Sequence, residues 1–75
     1  LPLMEIRDVK AVEIIVVTSD RGLCGSFNAH IIRTALKRKD QYESEGKTVS
    51  FVTVGNKAAQ GVKRTGLIRK SFKNI

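Results

Sequence analysis

The sequence lacks the features that define several large classes of protein. Of its 75 residues, one is cysteine, one is proline and none is tryptophan. A single cysteine, Cys24, cannot close an internal disulfide, which excludes a disulfide-stapled secreted scaffold and favours a reducing, intracellular compartment. No apolar run approaches the ~20 residues that a membrane-spanning helix needs. No charged-then-apolar signal peptide opens the sequence either.

Acidic residues are missing from the second part of the chain. Residues 1–45 contain seven basic and seven acidic side chains, whereas residues 46–75 contain seven basic side chains and no acidic one. The whole net charge of +7 therefore lies in the last thirty residues. Such a region could face nucleic acid, an anionic membrane or an acidic protein.

The apolar residues that are present predict an alternation of strands and helices. The β-branched run from Val12 to Thr18 is typical of a strand buried on both faces. Apolar residues at helical spacing then predict an amphipathic helix that starts near Phe27 and ends at Gly46. Either Ser26 or Asn28 is a candidate N-cap.

A second strand and a second helix follow, and a third strand begins. Val49 to Val54 reads as a strand, Lys57 to Arg64 as a weaker helix with Gly61 inside it, and Gly66 as its stop. Ile68 begins another alternating segment, while residues 1–10 read as a lead-in without regular structure because Pro2 disfavours it. The predicted fold class is therefore α/β, a β-α-β-α-(β) unit with parallel strands.

The turn from Ser19 to Asn28 lies where a parallel sheet presents backbone N–H groups to a ligand. Gly22 and Gly25 fit neither phosphate-loop spacing nor G-x-G-x-x-G, and the second strand ends without an acid for a ribose. The simpler role of both glycines is tight backbone geometry. A nucleotide-binding enzyme of this fold remains an alternative.

Three side chains near this turn are candidates for chemistry or contact. Cys24 at a helix N-terminus could be a nucleophile, but the only histidine, His30, is six residues further on and reads as a solvated surface residue. One cysteine and one histidine cannot complete a tetrahedral metal site. Arg21 is a candidate subunit contact or a solvated side chain. We predict no catalytic residue, no cofactor and no metal.

The basic second part of the chain allows a nucleic-acid-binding module as another alternative. Its two aromatic residues are Phe51, which reads as a core residue, and Phe72. No RNA-recognition or KH signature accompanies them. An acidic protein partner explains the same charge equally well.

The thirteen residues from Val16 to Asn28 resemble a segment of the F-type ATP synthase gamma subunit. In that family a hydrophobic strand is followed by T-S-D-[RK]-G-L-C-G-x-[FL]-N, and Thr18 to Gly25 of this sequence read T-S-D-R-G-L-C-G. The later stretch from Val54 to Lys57 matches a "vGrKg"-like stretch more loosely, with Asn56 in place of the commoner Arg.

This resemblance implies part of a Rossmann-like α/β domain, residues 1–75, attached to a coiled-coil shaft whose helices are not in this sequence. It implies a rotor that couples proton flow to ATP synthesis or hydrolysis, with the catalytic sites elsewhere. The implied partners are the alpha and beta subunits, the epsilon subunit and the membrane rotor ring, and the implied location is the inner face of a bacterial membrane or an equivalent organelle membrane. The implied subunit-contact loop consists of Asp20, Arg21, Gly22, Leu23, Cys24 and Gly25.

The two ends of the sequence look cut, and we expect a piece of a longer protein. Parallel strand edges without neighbours are an association hazard. We therefore expect the isolated piece to self-associate.

Overall fold

The computed structural model describes residues 2–19 and 25–73, which form a four-stranded mixed sheet with two helices. The strands stand in chain order in the sheet, with β2, β3 and β4 parallel and β1 antiparallel to β2. The α/β fold class and the predicted β-α-β-α-β order are confirmed. The elements are β1 (Leu3–Arg7), β2 (Ala11–Val17), α1 (Gly25–Ser44), β3 (Thr48–Val54), α2 (Asn56–Val62) and β4 (Ile68–Phe72), with a 3-10 turn at Lys63–Thr65 between the last two.

The prediction of an irregular lead-in over residues 1–10 was wrong. β1 pairs along its full length with β2, from Leu3 opposite Val16 to Arg7 opposite Val12. Pro2 lies just before the strand and still accepts a hydrogen bond from the Val17 amide at 2.8 Å. A proline is compatible with the start of an edge strand, because only its missing N–H would weaken the ladder.

Both helices lie on one face of the sheet, which we call the covered face. The crossovers from β2 to β3 and from β3 to β4 progress in the same direction across the sheet. Because crossovers between parallel strands share one hand, both place their helix on the same side. The core forms there between the sheet and the helices. Its buried members are Val12, Ile14, Val16, Ile31, Ala35, Tyr42, Val49, Phe51, Ala58 and Val62.

The opposite face, which we call the open face, carries the alternate strand residues. Within residues 2–19 and 25–73, no helix packs against it. Its side chains are Met4, Ile6, Glu13, Ile15, Val17, Ser50, Val52, Val54, Arg69, Lys70 and Phe72. Arg69 is the extra residue of a bulge, since Ile68 pairs with Phe51 and Lys70 with Val52.

The glycines explain how the helices end and how closely they pack. Gly46 and Gly66 have φ of 81° and 70°, the left-handed conformation of a helix stop, as predicted. A Cβ at Gly61 would lie 2.6 Å from the Cδ1 of Ile32 on α1. Gly61 thus lowers the helix propensity of α2, but it allows α2 to pack closely against α1.

Candidate functional site: the contact edge

The predicted contact loop leaves the sheet at the carboxyl end of β2. Asp20, Arg21, Gly22, Leu23 and Cys24 lie outside the described residues, whereas Gly25 is the exposed first residue of α1. The structure therefore describes the two attachment points of this loop, Ser19 and Gly25. Cys24, which was weighed as a nucleophile, is one of these residues, and His30 is exposed, as the sequence predicted for a surface residue.

Thr18 connects the end of β2 to the start of α2. Its amide donates to the Val54 carbonyl at 2.9 Å and prolongs the parallel ladder by one residue. Its hydroxyl oxygen accepts a hydrogen bond from the Ala58 amide at 2.9 Å. Ala58 lies in the first turn of α2, where backbone amides have no partner within the helix. Thr18 thus supplies from a neighbouring strand the cap that α2 lacks locally, because Gly55 has no side chain for capping.

Gly55 allows this connection because it brings β3 close to Thr18. It has φ of 102°, and a Cβ at this position would lie 2.6 Å from the Thr18 carbonyl oxygen. Any side chain would therefore be strained and would collide with the backbone. Its amide donates to the Phe72 carbonyl at 2.9 Å, which connects the same point to β4.

Asn28 connects the Ser19 end of the loop to the first turn of α1. Its side chain is buried, with 4% of the residue exposed. The side-chain oxygen accepts a hydrogen bond from the Ser19 amide at 3.2 Å, and the side-chain nitrogen donates one to the Ser19 carbonyl. Two hydrogen bonds to the backbone N–H and C=O of one residue, Ser19, hold the strand end and the first turn of α1 together across the loop. Neither this role nor the start of α1 at Gly25 was predicted, since Asn28 was a candidate N-cap. The signal was an asparagine inside the first helical turn, where a short polar side chain reaches nearby backbone.

The surface around this edge combines an exposed aromatic ring with a basic residue. Phe27 is 54% exposed on the first turn of α1, and Lys57 is exposed on the first turn of α2. No acidic residue occupies the first turn of either helix. The described part of this edge therefore offers apolar and positively charged contacts, and β3 ends here without the acid that a ribose would need.

Two arginine–glutamate pairs fix the sheet away from this edge. On the covered face, Glu5 of β1 accepts hydrogen bonds from Arg38 at 2.7 and 3.0 Å and from the Tyr42 hydroxyl at 2.6 Å. The Arg38 hydrogen bonds lower the pKa of Glu5 to about 2 against the opposing effect of burial, and the Tyr42 hydroxyl adds to the lowering. Arg38 also lies over the Tyr42 ring, 4.8 Å from its centroid. This cluster attaches β1 to α1.

The second pair lies on the open face. Arg69 binds both carboxylate oxygens of Glu13, and hydrogen bonding to Arg69 lowers the pKa of that carboxyl. Ser50 also donates to Glu13, at 3.4 Å. The pair connects β2 and β4 across the central strand β3.

The described residues contain no group of three side chains able to hold a metal ion. In the same part of the chain, neither helix has both the length and the apolarity needed to cross a membrane. The fold places the chain among α/β proteins with a mostly parallel sheet.

Comparison with known proteins identifies the family. The family model described as ATP synthase matches residues 1–75. The ATP synthase gamma chain of Desulfotalea psychrophila is 51% identical over 74 residues, 99% of this chain and 26% of that protein. The gamma chain of Maridesulfovibrio salexigens is 51% identical over 65 residues, 85% of this chain and 22% of that protein. The gamma chain of a Sulfurihydrogenibium species is 42% identical over 75 residues, 99% of this chain and 26% of that protein.

The chain belongs to the ATP synthase gamma chain family. It spans about a quarter of the length of the curated relatives that it matches. The resemblance inferred from residues 16–28 is confirmed.

Proposed function

We propose that this chain is part of the central rotor of an F-type ATP synthase and couples proton flow to ATP synthesis or hydrolysis through rotation. The support is the match to the gamma chain family along the whole chain. In this proposal the chain belongs to a Rossmann-like domain beside a coiled-coil shaft and carries no active site. The complex is attached to the inner face of a bacterial membrane or an equivalent organelle membrane.

The proposed contact surface is the loop formed by residues 20–25. The observation that supports it is the anchoring of the β2 end of the loop, where Thr18 binds α2 and Ser19 binds Asn28 in the first turn of α1. A loop with fixed ends has less conformational freedom to lose when a partner binds, so ordering it costs less free energy. The proposed neighbours of the loop are the shaft and the beta subunit, and the alpha subunit, the epsilon subunit and the membrane rotor ring complete the assembly.

Substitution in the loop tests this function. In the full-length gamma chain assembled into the complex, we expect Arg21→Ala combined with Leu23→Ala to lower the proton pumping obtained per ATP hydrolysed. The matched control is Lys37→Ala on the exposed side of α1, which should leave the ratio unchanged. A normal ratio for the loop variant in an intact complex would contradict the contact role.

Binding measurements separate the rotor from the rival functions. The rotor predicts no tight binding of ATP or NAD to the full-length gamma chain. It also predicts only weak nucleic-acid binding of the non-specific, salt-sensitive kind that any basic surface shows. Micromolar affinity for either nucleotide would favour the nucleotide-binding enzyme instead.

A further inference from the structure

Two successive residues at the β2 end of the contact loop are bound to three other elements. The Thr18 amide donates to the Val54 carbonyl of β3, and the Thr18 hydroxyl accepts from the Ala58 amide of α2. The next residue, Ser19, is bound through its backbone N–H and C=O to Asn28 of α1. The β2 end of the loop is therefore held relative to both helices.

The Thr18 hydroxyl holds the first turn of α2 to the strand end. Thr18 is 3% exposed and Ala58 is fully buried, so water has little access to either group. The hydroxyl accepts from the Ala58 amide at 2.9 Å and directs its own hydrogen towards the Val54 carbonyl, at the longer distance of 3.5 Å. Without the hydroxyl, the Ala58 amide would be buried with no acceptor, which costs free energy. The first turn of α2 would then have to move to reach another acceptor.

Gly55 places the β3–α2 connection directly against the same point. A Cβ at Gly55 would lie 2.6 Å from the Thr18 carbonyl oxygen and 2.7 Å from its hydroxyl oxygen. That carbonyl belongs to the peptide group that joins Thr18 to Ser19 and leads into the loop. Because packed atoms cannot approach further, a movement of the first turn of α2 is transmitted to this peptide group by direct contact.

We propose that Thr18 is a positioning residue of the contact loop, and that its hydroxyl sets how residues 20–25 meet their partner subunit. Thr18 itself is buried, so it acts through the loop and not by touching the partner. An end that is held in place leaves fewer conformations to lose when the contact forms, which lowers the cost of ordering the loop. This inference rests on the proposed function, because it requires that the loop makes a contact.

Deletion of the hydroxyl in the assembled complex tests the proposal. In the full-length gamma chain, Thr18→Val keeps the branched shape of the side chain and removes its hydrogen bonds. We expect it to lower the proton pumping obtained per ATP hydrolysed. Thr18→Ser, which keeps the hydroxyl, should restore most of that ratio.

Thr53→Val is the matched control for this deletion. Thr53 is also fully buried, and its hydroxyl donates to the Ser71 hydroxyl of β4 at 2.9 Å, on the side of β3 away from β2. Both valine substitutions remove the hydrogen bonding of a buried hydroxyl, but only Thr18→Val removes a bond beside the loop. We therefore expect a normal ratio of proton pumping to ATP hydrolysis for the control.

A second pair of variants displaces Thr18 instead of altering it. Gly55→Ala places a Cβ against the Thr18 carbonyl, whereas Gly46→Ala adds the same atom where no neighbouring atom of the described residues lies within 4 Å. The φ angles are 102° and 81°, so both variants carry the cost of a backbone conformation that alanine rarely adopts. We expect a loss of pumping per ATP for Gly55→Ala and a normal ratio for Gly46→Ala. This pair keeps the test decisive if Thr18→Val fails to assemble.

Each other outcome overturns the inference. A normal ratio for Thr18→Val, together with a lowered ratio for Arg21→Ala combined with Leu23→Ala, would overturn it and leave the proposed function intact. A normal ratio for that loop variant would contradict the proposed function and this inference with it. An equal loss in Thr18→Val and Thr53→Val would show that a general weakening of the sheet is the cause.

Discussion

Ile14 and Ile15 are adjacent residues of β2 with the same side chain and opposite surroundings. Ile14 is fully buried beneath the helices, while Ile15 is half-buried on the open face. The strands that carry the two faces are the same, so the difference comes from the crossovers alone. Two connections that progress in one direction place both helices on one face, and among the described residues the other face has no helix against it.

The largest expected effect comes from the same truncation on each face. Ile14→Ala should lower the free energy of unfolding by about 2–5 kcal/mol, because it leaves a cavity in a packed core. Ile15→Ala should cost about 1–2 kcal/mol, since less of its area is removed from water in this segment. Urea unfolding followed by far-UV circular dichroism measures both values.

The same pair of variants sharpens the comparison in the full-length gamma chain. If a helix covers the open face there, the cost of Ile15→Ala should rise towards that of Ile14→Ala. If Ile15→Ala costs the same free energy of unfolding in the 75-residue chain and in the full-length gamma chain, no further helix packs against the open face.

A smaller effect is expected where the two helices of the covered face touch. Gly61→Leu places side-chain atoms where Ile32 already lies, so it should lower the free energy of unfolding by about 1–3 kcal/mol. Ile32→Ala in the same chain should recover part of this loss, because the smaller side chain leaves room for the leucine at position 61. A double-mutant cycle measures the coupling, and strictly additive costs would contradict direct contact.

The smallest effect on stability is expected for the glutamates of the two faces, Glu5 and Glu13. At pH 6, Glu5→Gln should lower the melting temperature by a few degrees, and Glu13→Gln by less. Glu5 is the less exposed of the two, and its hydrogen bond from Tyr42 at 2.6 Å is shorter than the one from Ser50 to Glu13 at 3.4 Å. The pKa of Glu5 falls from 4.5 to about 2 on folding, so its ionised form stabilises the fold above pH 4.5. This stabilisation is lost as the pH falls from 4.5 towards 2.

Thermal melts between pH 6 and pH 2 therefore test the Glu5 cluster. The melting temperatures of the unmodified chain and of Glu5→Gln should converge as the pH approaches 2. A constant difference over this range would show that the carboxylate charge does not hold β1 against α1.

Local patterns were sufficient to predict the parallel part of the fold. β2 and β3 are rich in β-branched residues, and α1 repeats its apolar residues at helical spacing. The local pattern therefore predicts each of these elements. Phe51 was predicted as a core residue and is fully buried. The stops at Gly46 and Gly66 followed from the special backbone conformation that glycine allows.

The missed features depend on contacts between distant residues. β1 mixes charged and apolar residues, and its stability comes from pairing with β2 and from Glu5 binding Arg38, 33 residues away. Gly61 lowers the helix propensity of α2, and its role depends on Ile32 of α1, which lies against it. Asn28 binds Ser19, nine residues earlier in the chain, and the spacing of apolar residues does not predict such a contact. The loop residues Asp20 to Cys24 remain a prediction from sequence.

The anchoring of the loop at Thr18 and Asn28 has a mechanical consequence. A force applied to the loop reaches β2 at its end, and from there it passes through Asn28 to α1 and through Thr18 to α2 and β3. A force at this corner is therefore distributed over β2, β3 and the first turns of both helices, instead of acting on one strand alone.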